Sequence, residues 1–276
     1  MNQTRFNEPS DDIELLKSAA VAAGVMAMGY FRRDIKTWTK ENASPVSEAD
    51  YLVDRFLANT LKNARPDYGW MSEETGDDPI RMEKQRIFVV DPIDGTRGFI
   101  RGDAGWSICL TVVENGIAIS GVIYAPALDE LYEAVINKGA MLNGKPLLNI
   151  YNPGNIPTIL APETVHRALE TTGLEYTRMP TLPSLAHSLV QIATGKTDVV
   201  LARRGAQDWD IAAASLILSE CGIILEDVCL GKPLFNKEET RHGALAAMQD
   251  NSLKGAMHEI LTDIYGCPEI KTAANF

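Results

Sequence analysis

The chain has 276 residues, 45% of them hydrophobic, and a net charge of -11. Such a length and composition belong to a globular protein with a sizeable core, in one large domain or two halves. The acidic balance argues against non-specific nucleic-acid or anionic-membrane binding, since both reward clustered Lys and Arg. A small anionic substrate stays open, because a bound metal reverses the local field.

In chain order, the N-terminal residues 1–12 are polar and lack the apolar core of a signal peptide. Asp11-Asp12-Ile13-Glu14 reads as a capping box that opens a helix. Leu15, Leu16, Ala19, Ala20, Ala23 and Met26 continue it with helical period. The apolar stretch 19–28 is too short to span a bilayer. Lys40 reads first as a mobile, solvated lysine, with approach to the cleft from the 41–45 loop as the alternative. Ser47-Glu48-Ala49-Asp50 is a second helix start, with Leu52, Val53, Phe56 and Leu57 as its apolar face. A short strand is predicted at 68–72 and a fully buried one at 87–90. Strands 107–113 and 117–124 flank Asn115-Gly116, a strong hairpin signal. A further strand is predicted at 131–136.

The pattern changes near Asn152-Pro153-Gly154. Beyond it, strands at 158–161, 199–202, 223–225 and 244–248 alternate with helices at 163–171, 185–194, 210–220 and 253–265. Hairpins first and alternation second indicate an α+β half, 1–150, joined to an α/β half, 151–276, in one body with a cleft between them. Cys109, Cys221, Cys229 and Cys267 contain no CxxC pair and no disulfide framework. They read as thiols in a reducing, cytoplasmic setting. His166, His187, His242 and His258 have no metal-ligand spacing and read as surface or satisfied core residues.

Four acidic sites fall at element ends: Glu73-Glu74, the pair Asp91 and Asp94, Asp210, and Asp50. Each has a structural reading when taken alone. Asp50 completes a cap, Asp210 suits a helix first turn, Glu73-Glu74 suits a solvated turn, and Asp94-Gly95 is a common turn pair. Asp91 with Asp94 resists such a reading. Asp91 ends an apolar strand, Pro92 fixes the turn, and Gly95 permits a sharp bend that returns Asp94 towards Asp91. Two half-buried carboxylates must take up a proton or share a cation. Oxygen ligands select a hard ion, Mg2+ or Mn2+. Gly95-Thr96, opening a short helical turn, offers backbone N–H groups to a phosphate. Metal and phosphate at one point indicate phosphoryl chemistry. The D-x-x-D-G-T spacing differs from the D-x-D of aspartyl-nucleophile phosphatases. It favours both aspartates as ligands, with water as the nucleophile.

Glu73-Glu74, Asp91-Pro92-Ile93-Asp94-Gly95-Thr96 and Trp209-Asp210-Ile211-Ala212-Ala213, in this order and spacing, resemble the signatures of the inositol monophosphatase superfamily. The similarity extends over residues 47–57, 121–126 and 231–236, and so over most of the span 11–248. The resemblance implies an α/β (α+β) fold, a layered α-β-α-β-α sandwich. It implies a Mg2+-dependent, lithium-sensitive phosphomonoesterase with two to three ions. One ion would rest on Glu73, Asp91 and the Ile93 carbonyl, a second on Asp91, Asp94 and Asp210, and a third on Glu73 and water. Thr96 paired with Asp50 would aim the attacking water, while Gly95 and Thr96 N–H groups hold the phosphate. Homodimers are common in the family, but no residue of this sequence establishes one.

The family's substrates include inositol monophosphate, 3'-phosphoadenosine 5'-phosphate, fructose 1,6-bisphosphate and histidinol phosphate. Arg97 stands where inositol phosphatases usually have an uncharged residue, and Arg203, followed by Arg204, stands where they carry a hydroxyl-binding glutamate. Arginines there suit a second phosphate. The compact spacing from them to Trp209-Asp210 is that of inositol phosphatases. The sequence holds the bisphosphate nucleotide and inositol monophosphate nearly even.

Overall fold

A computed structural model describes residues 8–41, 44–148 and 156–267. The predicted break at 152–154, and Asn42 and Ala43 of the 40–45 loop, lie outside them.

The first helix, α1 (Pro9–Met28), starts earlier than the Asp11 signal predicts. Pro9 occupies its first turn, where a missing N–H costs nothing. Asp12 does not cap. It is fully buried and accepts from Arg65 Nε at 2.8 Å and Tyr68 Oη at 2.9 Å. A hairpin, β1 (Thr37–Thr39) and β2 (Pro45–Ser47), leads directly into α2 (Glu48–Ala64). There the predicted capping box forms: Ser47 Oγ accepts from Ala49 N, and the Asp50 carboxylate accepts from Ser47 N.

Seven strands make the first large sheet, in sequence order: β3 (Gly69–Ser72), β4 (Arg86–Asp94), β5 (Ser107–Glu114), β6 (Ile117–Ala125), β7 (Glu130–Val135), β8 (Ala140–Leu142) and β9 (Lys145–Pro146). A short helix, α3 (Thr96–Arg101), follows β4. Only β3 and β4 are parallel. Side chains of β4 alternate as the pleat requires. Phe88 and Val90 pack under α1 and α2, while Ile87 and Val89 face the opposite core.

The second sheet has five strands in the order β11-β10-β12-β14-β13. They are β10 (Thr158–Leu160), β11 (Thr177–Met179), β12 (Val199–Ala202), β13 (Leu225–Asp227) and β14 (Leu245–Met248). Helices α5 (Leu185–Val190) and α6 (Asp208–Glu220) lie between the sheets. Their apolar side chains join both in one core. Helices α4 (Glu163–Glu170) and α7 (Lys254–Tyr265) cover the outer face of the second sheet. The layers therefore run α-β-α-β-α, as the family resemblance implies. Among the described residues, no helix is long and apolar enough to cross a membrane.

The expectation of four thiols needs correction. Cys229 and Cys267 form a disulfide, while Cys109 and Cys221 are free. Spacing gave no sign of it, because the chain returns from α7 to the β13 turn only in the folded protein. The bond closes a loop of 38 residues. In the chain-entropy account this stabilises the fold by up to about 4 kcal/mol. Reduction, or Cys267→Ser, should therefore lower the urea midpoint while far-ultraviolet circular dichroism stays native. An unchanged midpoint would show that the bridge carries no stability.

Candidate active site

The site begins at the end of β4. The strand does not stop at Val90, as the sequence suggests, but runs on to Asp94. Its pairing with β5 slips between Asp91 and Asp94. Pro92 is tolerated because β3, on the other side, ends at the Ser72–Val90 pair and needs no N–H beyond it. The slip supplies the bulge that brings both aspartates to one point. Oxygens of Asp91, Asp94 and Asp210 lie within 4.8 Å of one another. Asp210 comes from the first turn of α6, where it also caps: Oδ2 accepts from Gln207 N at 2.7 Å. Capping and clustering thus coexist in one side chain.

Repulsion dominates this cluster. Asp91 is buried, and its carboxyl is driven well above the usual range, first by burial and then by the charges of Glu73, Asp94 and Asp210. Asp210 is raised for the same reasons, with Asp94 its strongest opponent. Burial raises Asp94 to about 6, against the donors that contact it. Asp91 accepts only the N–H of Ile93 among the described residues, at 3.0 Å, which leaves most of its lone pairs open. Mutually repelling carboxylates brought to one point, with most of the Asp91 lone pairs open, fit a divalent cation held by oxygen.

Glu73 lies beside this group but outside the tight cluster. Its Oε1 accepts from Lys40 Nζ at 3.0 Å, and Lys40 also donates to Glu74 Oε1 at 2.7 Å. The solvated reading of Lys40 is thus overturned: the β1–β2 hairpin folds it onto both glutamates. Burial pushes Glu74 up to about 7, partly countered by Lys40 and reinforced by Glu73.

Asp50 and Thr96 meet as expected. Thr96 Oγ1 donates to Asp50 Oδ1 at 2.9 Å and also approaches the Ile93 carbonyl at 3.1 Å. Asp50 Oδ2 accepts from both the N–H and the hydroxyl of Ser47. The α2 cap therefore fixes the carboxylate that orients Thr96. Gly95, with φ of 93°, provides the left-handed turn into α3. The N–H groups of Gly95 and Thr96 have no protein acceptor among the described residues.

A cleft of about 630 Å³ opens from Asp94 and Asp210 along α5 and β12. Pro183, Leu185 and Ala206 are among its apolar walls, and Arg203, Arg204 and Glu163 lie on its border. The two arginines differ. Arg204 Nη1 donates to the Tyr265 carbonyl at 3.0 Å, at the end of α7. Arg203 is exposed and makes no ion pair with a described residue. Arg97 is exposed on α3 and does not border the cleft.

Residues unmarked in the sequence hold α6 in place. Asp208 accepts from His242 Nε2 at 2.8 Å and from Asn236 N at 2.7 Å. Arg81, fully buried, donates to Asn236 Oδ1 and to the Lys237 carbonyl. His242 is held by Asp208, and His187 Nε2 meets Glu130 Oε2 at 2.8 Å, while the buried His187 Nδ1 has no hydrogen-bond partner among the described residues.

The chain is similar to known proteins in both sequence and overall structure. Residues 8–262 match the model of the inositol monophosphatase family. An inositol-1-monophosphatase of Mesorhizobium japonicum is 29% identical over 81% of this chain and 88% of its own length. A histidinol-phosphatase of Chlorobaculum parvum is 35% identical, over about half of each chain, 49% and 52%. In structure, the extragenic suppressor protein SuhB of Bartonella henselae superposes with a TM-score of 0.79 at 26% identity, over 91% of this chain and 98% of that one.

Proposed function

The chain belongs to the inositol monophosphatase family, whose members are hydrolases of phosphate monoesters, and on that footing we propose a Mg2+-dependent attack of water on a small phosphate ester. The observation that carries this reading is the meeting of three carboxylates, Asp91, Asp94 and Asp210, beside the bonded pair Asp50–Thr96. Glu73, Asp91 and the Ile93 carbonyl would hold one cation, Asp91, Asp94 and Asp210 a second, and Glu73 a third. Bound cations supply a more acidic water and neutralise phosphoryl and leaving-group charge.

The chain's own groups do the rest. Asp50, fixed by Ser47, accepts the hydrogen bond of the Thr96 hydroxyl. The Thr96 oxygen is then turned with a lone pair outward, where it takes the hydrogen bond of the incoming water and draws its proton towards the Asp50 carboxylate. Gly95 and Thr96 N–H groups hold phosphoryl oxygens. The departing alcohol lies in the cleft along α5.

For the leaving group, we favour one that carries a second anion, as in 3'-phosphoadenosine 5'-phosphate, over inositol. Arg203 has no ion-pair partner among the described residues and borders the same cleft as Asp94 and Asp210. Arg204 is committed to α7, and Arg97 does not border the cleft, so both lose weight as substrate clamps.

Phosphate release should require Mg2+, cease with EDTA and fall with lithium. No release from a panel of a dozen monoesters would instead favour a phosphometabolite-binding protein. Arg203→Ala should raise KM for the bisphosphate nucleotide about tenfold or more, the scale of a bond to a charged group. It should leave p-nitrophenyl phosphate unaffected. A preference of tenfold or more for inositol 1-phosphate would exclude the arginine reading.

A further inference from the structure

We infer that Ser184 is a positioning residue for Asp94, saturating one carboxylate oxygen so that Asp94 meets its cation through the other alone. This rests on the reading of Asp94 as a metal ligand.

Ser184 is fully buried and immediately precedes α5. Its hydroxyl has three neighbours: Asp94 Oδ2 at 2.6 Å, Ser107 Oγ at 2.8 Å and His187 N at 2.8 Å. A hydroxyl has one hydrogen and two lone pairs. The His187 N–H only donates, and an ionised carboxylate only accepts. The Ser184 hydrogen therefore goes to Asp94, and Ser107 donates its own to the second lone pair of Ser184. Every valence of the hydroxyl is used, and its direction is determined.

The same count applies to Asp94. Oδ2 accepts from Ser184 Oγ and from Ala186 N at 2.8 Å, which fills both of its lone pairs. Oδ1 accepts only the longer bond from Leu185 N, at 3.2 Å. One open lone pair remains, on Oδ1, and Asp94 belongs to the group whose oxygens converge within 4.8 Å. A carboxylate bound in this way presents a single oxygen in a fixed direction.

The segment that does this is itself wedged. A Cβ placed on Gly98 would lie 2.3 Å from Pro183 Cβ, so the α3 turn is seated directly on Pro183. The 183–186 turn cannot slide relative to Asp94 without breaking that contact. Pro183 and Leu185 also border the cleft, so the segment that aims Asp94 faces the leaving group as well.

The test is a calorimetric Mg2+ titration of the full chain without substrate, with the metal-free melting temperature recorded in parallel. Ser184→Ala should weaken Mg2+ about tenfold or more, the scale of a hydrogen bond to a charged group. Ser184→Thr, which keeps the hydroxyl, should stay within about threefold of the parent by the same measure. Ser107→Ala should weaken Mg2+ less than Ser184→Ala, and the double variant should match Ser184→Ala because Ser107 acts through Ser184. A lower metal-free melting temperature with unchanged Mg2+ affinity in Ser184→Ala would reduce Ser184 to a helix cap and overturn the inference. Should that variant not fold, Ser107→Ala decides by the same two readouts. Unchanged Mg2+ affinity in Asp94→Asn would refute the ligand assignment itself, an outcome separate from failure at Ser184.

Discussion

Asp91→Asn should abolish phosphate release, a loss of about a thousandfold or more in kcat, while raising the melting temperature of the metal-free protein. Both effects come from one position. Asp91 is buried, and Glu73, Asp94 and Asp210 all press on its charge. Asparagine keeps the shape and can still accept the Ile93 N–H through its oxygen. It removes a group that must either carry a charge in a low-dielectric cluster, where repulsion is least screened, or take up a proton on folding. Without metal, the variant is therefore the more stable protein. With metal, it lacks a carboxylate that the proposed assignment gives to both cations, and several kcal/mol of transition-state stabilisation should go with it; about 4 kcal/mol is a thousandfold. Near-normal turnover at saturating Mg2+ would refute the ligand assignment. A lower metal-free melting temperature would refute the electrostatic account alone.

The metal-free protein should also lose stability as pH rises from about 4 to about 7, and Mg2+ should restore it mainly at the upper end. Asp94 is raised from 3.8 to about 6 and Glu74 from 4.5 to about 7, in both cases chiefly by burial. Asp91 and Asp210 move in the same direction. Within this window the folded state binds more protons than the unfolded one, so unfolding releases them and stability falls with pH. Below the unfolded values both states are protonated and the penalty vanishes. Above the folded values it is complete, at about 1.4 kcal/mol for each tenfold gain in a carboxylate's affinity for its proton. A cation bound to the ionised cluster reverses the balance, by about 2.7 kcal/mol at a hundred times its dissociation constant. Urea unfolding at pH 4.5 and 7.5, with EDTA and with Mg2+, checks this. An equal Mg2+ effect at both pH values would contradict it.

How much of this was legible in the sequence depends on distance along the chain. Asp91-Pro92-Ile93-Asp94-Gly95-Thr96 could be read because strand end, bulge and turn are local events with local residue signals. The Ser47–Asp50 box could be read for the same reason. Strand extension to Asp94 could not, since Pro92 is permitted only by where β3 ends. Lys40 reaches Glu73 across 33 residues, Ser184 reaches Asp94 across 90, and Arg81 reaches Asn236 across 155. None of these pairings leaves a periodicity or a spacing. The Asp11–Glu14 signal misplaced the helix start, since α1 already begins at Pro9 with no side-chain cap, and Asp12 is held by tertiary partners. The arginines were visible as residue types, but only the fold separates Arg203 at the cleft from Arg204 tied to α7.

The three clustered carboxylates come from β4 and α6, more than a hundred residues apart in the chain. Neither segment alone assembles the cluster, so its repulsion exists only where α6 is docked against the first sheet. Contacts formed after the transition state govern escape from the native state rather than arrival at it. A cation that binds only the assembled cluster should therefore act as a latch, slowing unfolding of the native molecule more than it speeds folding.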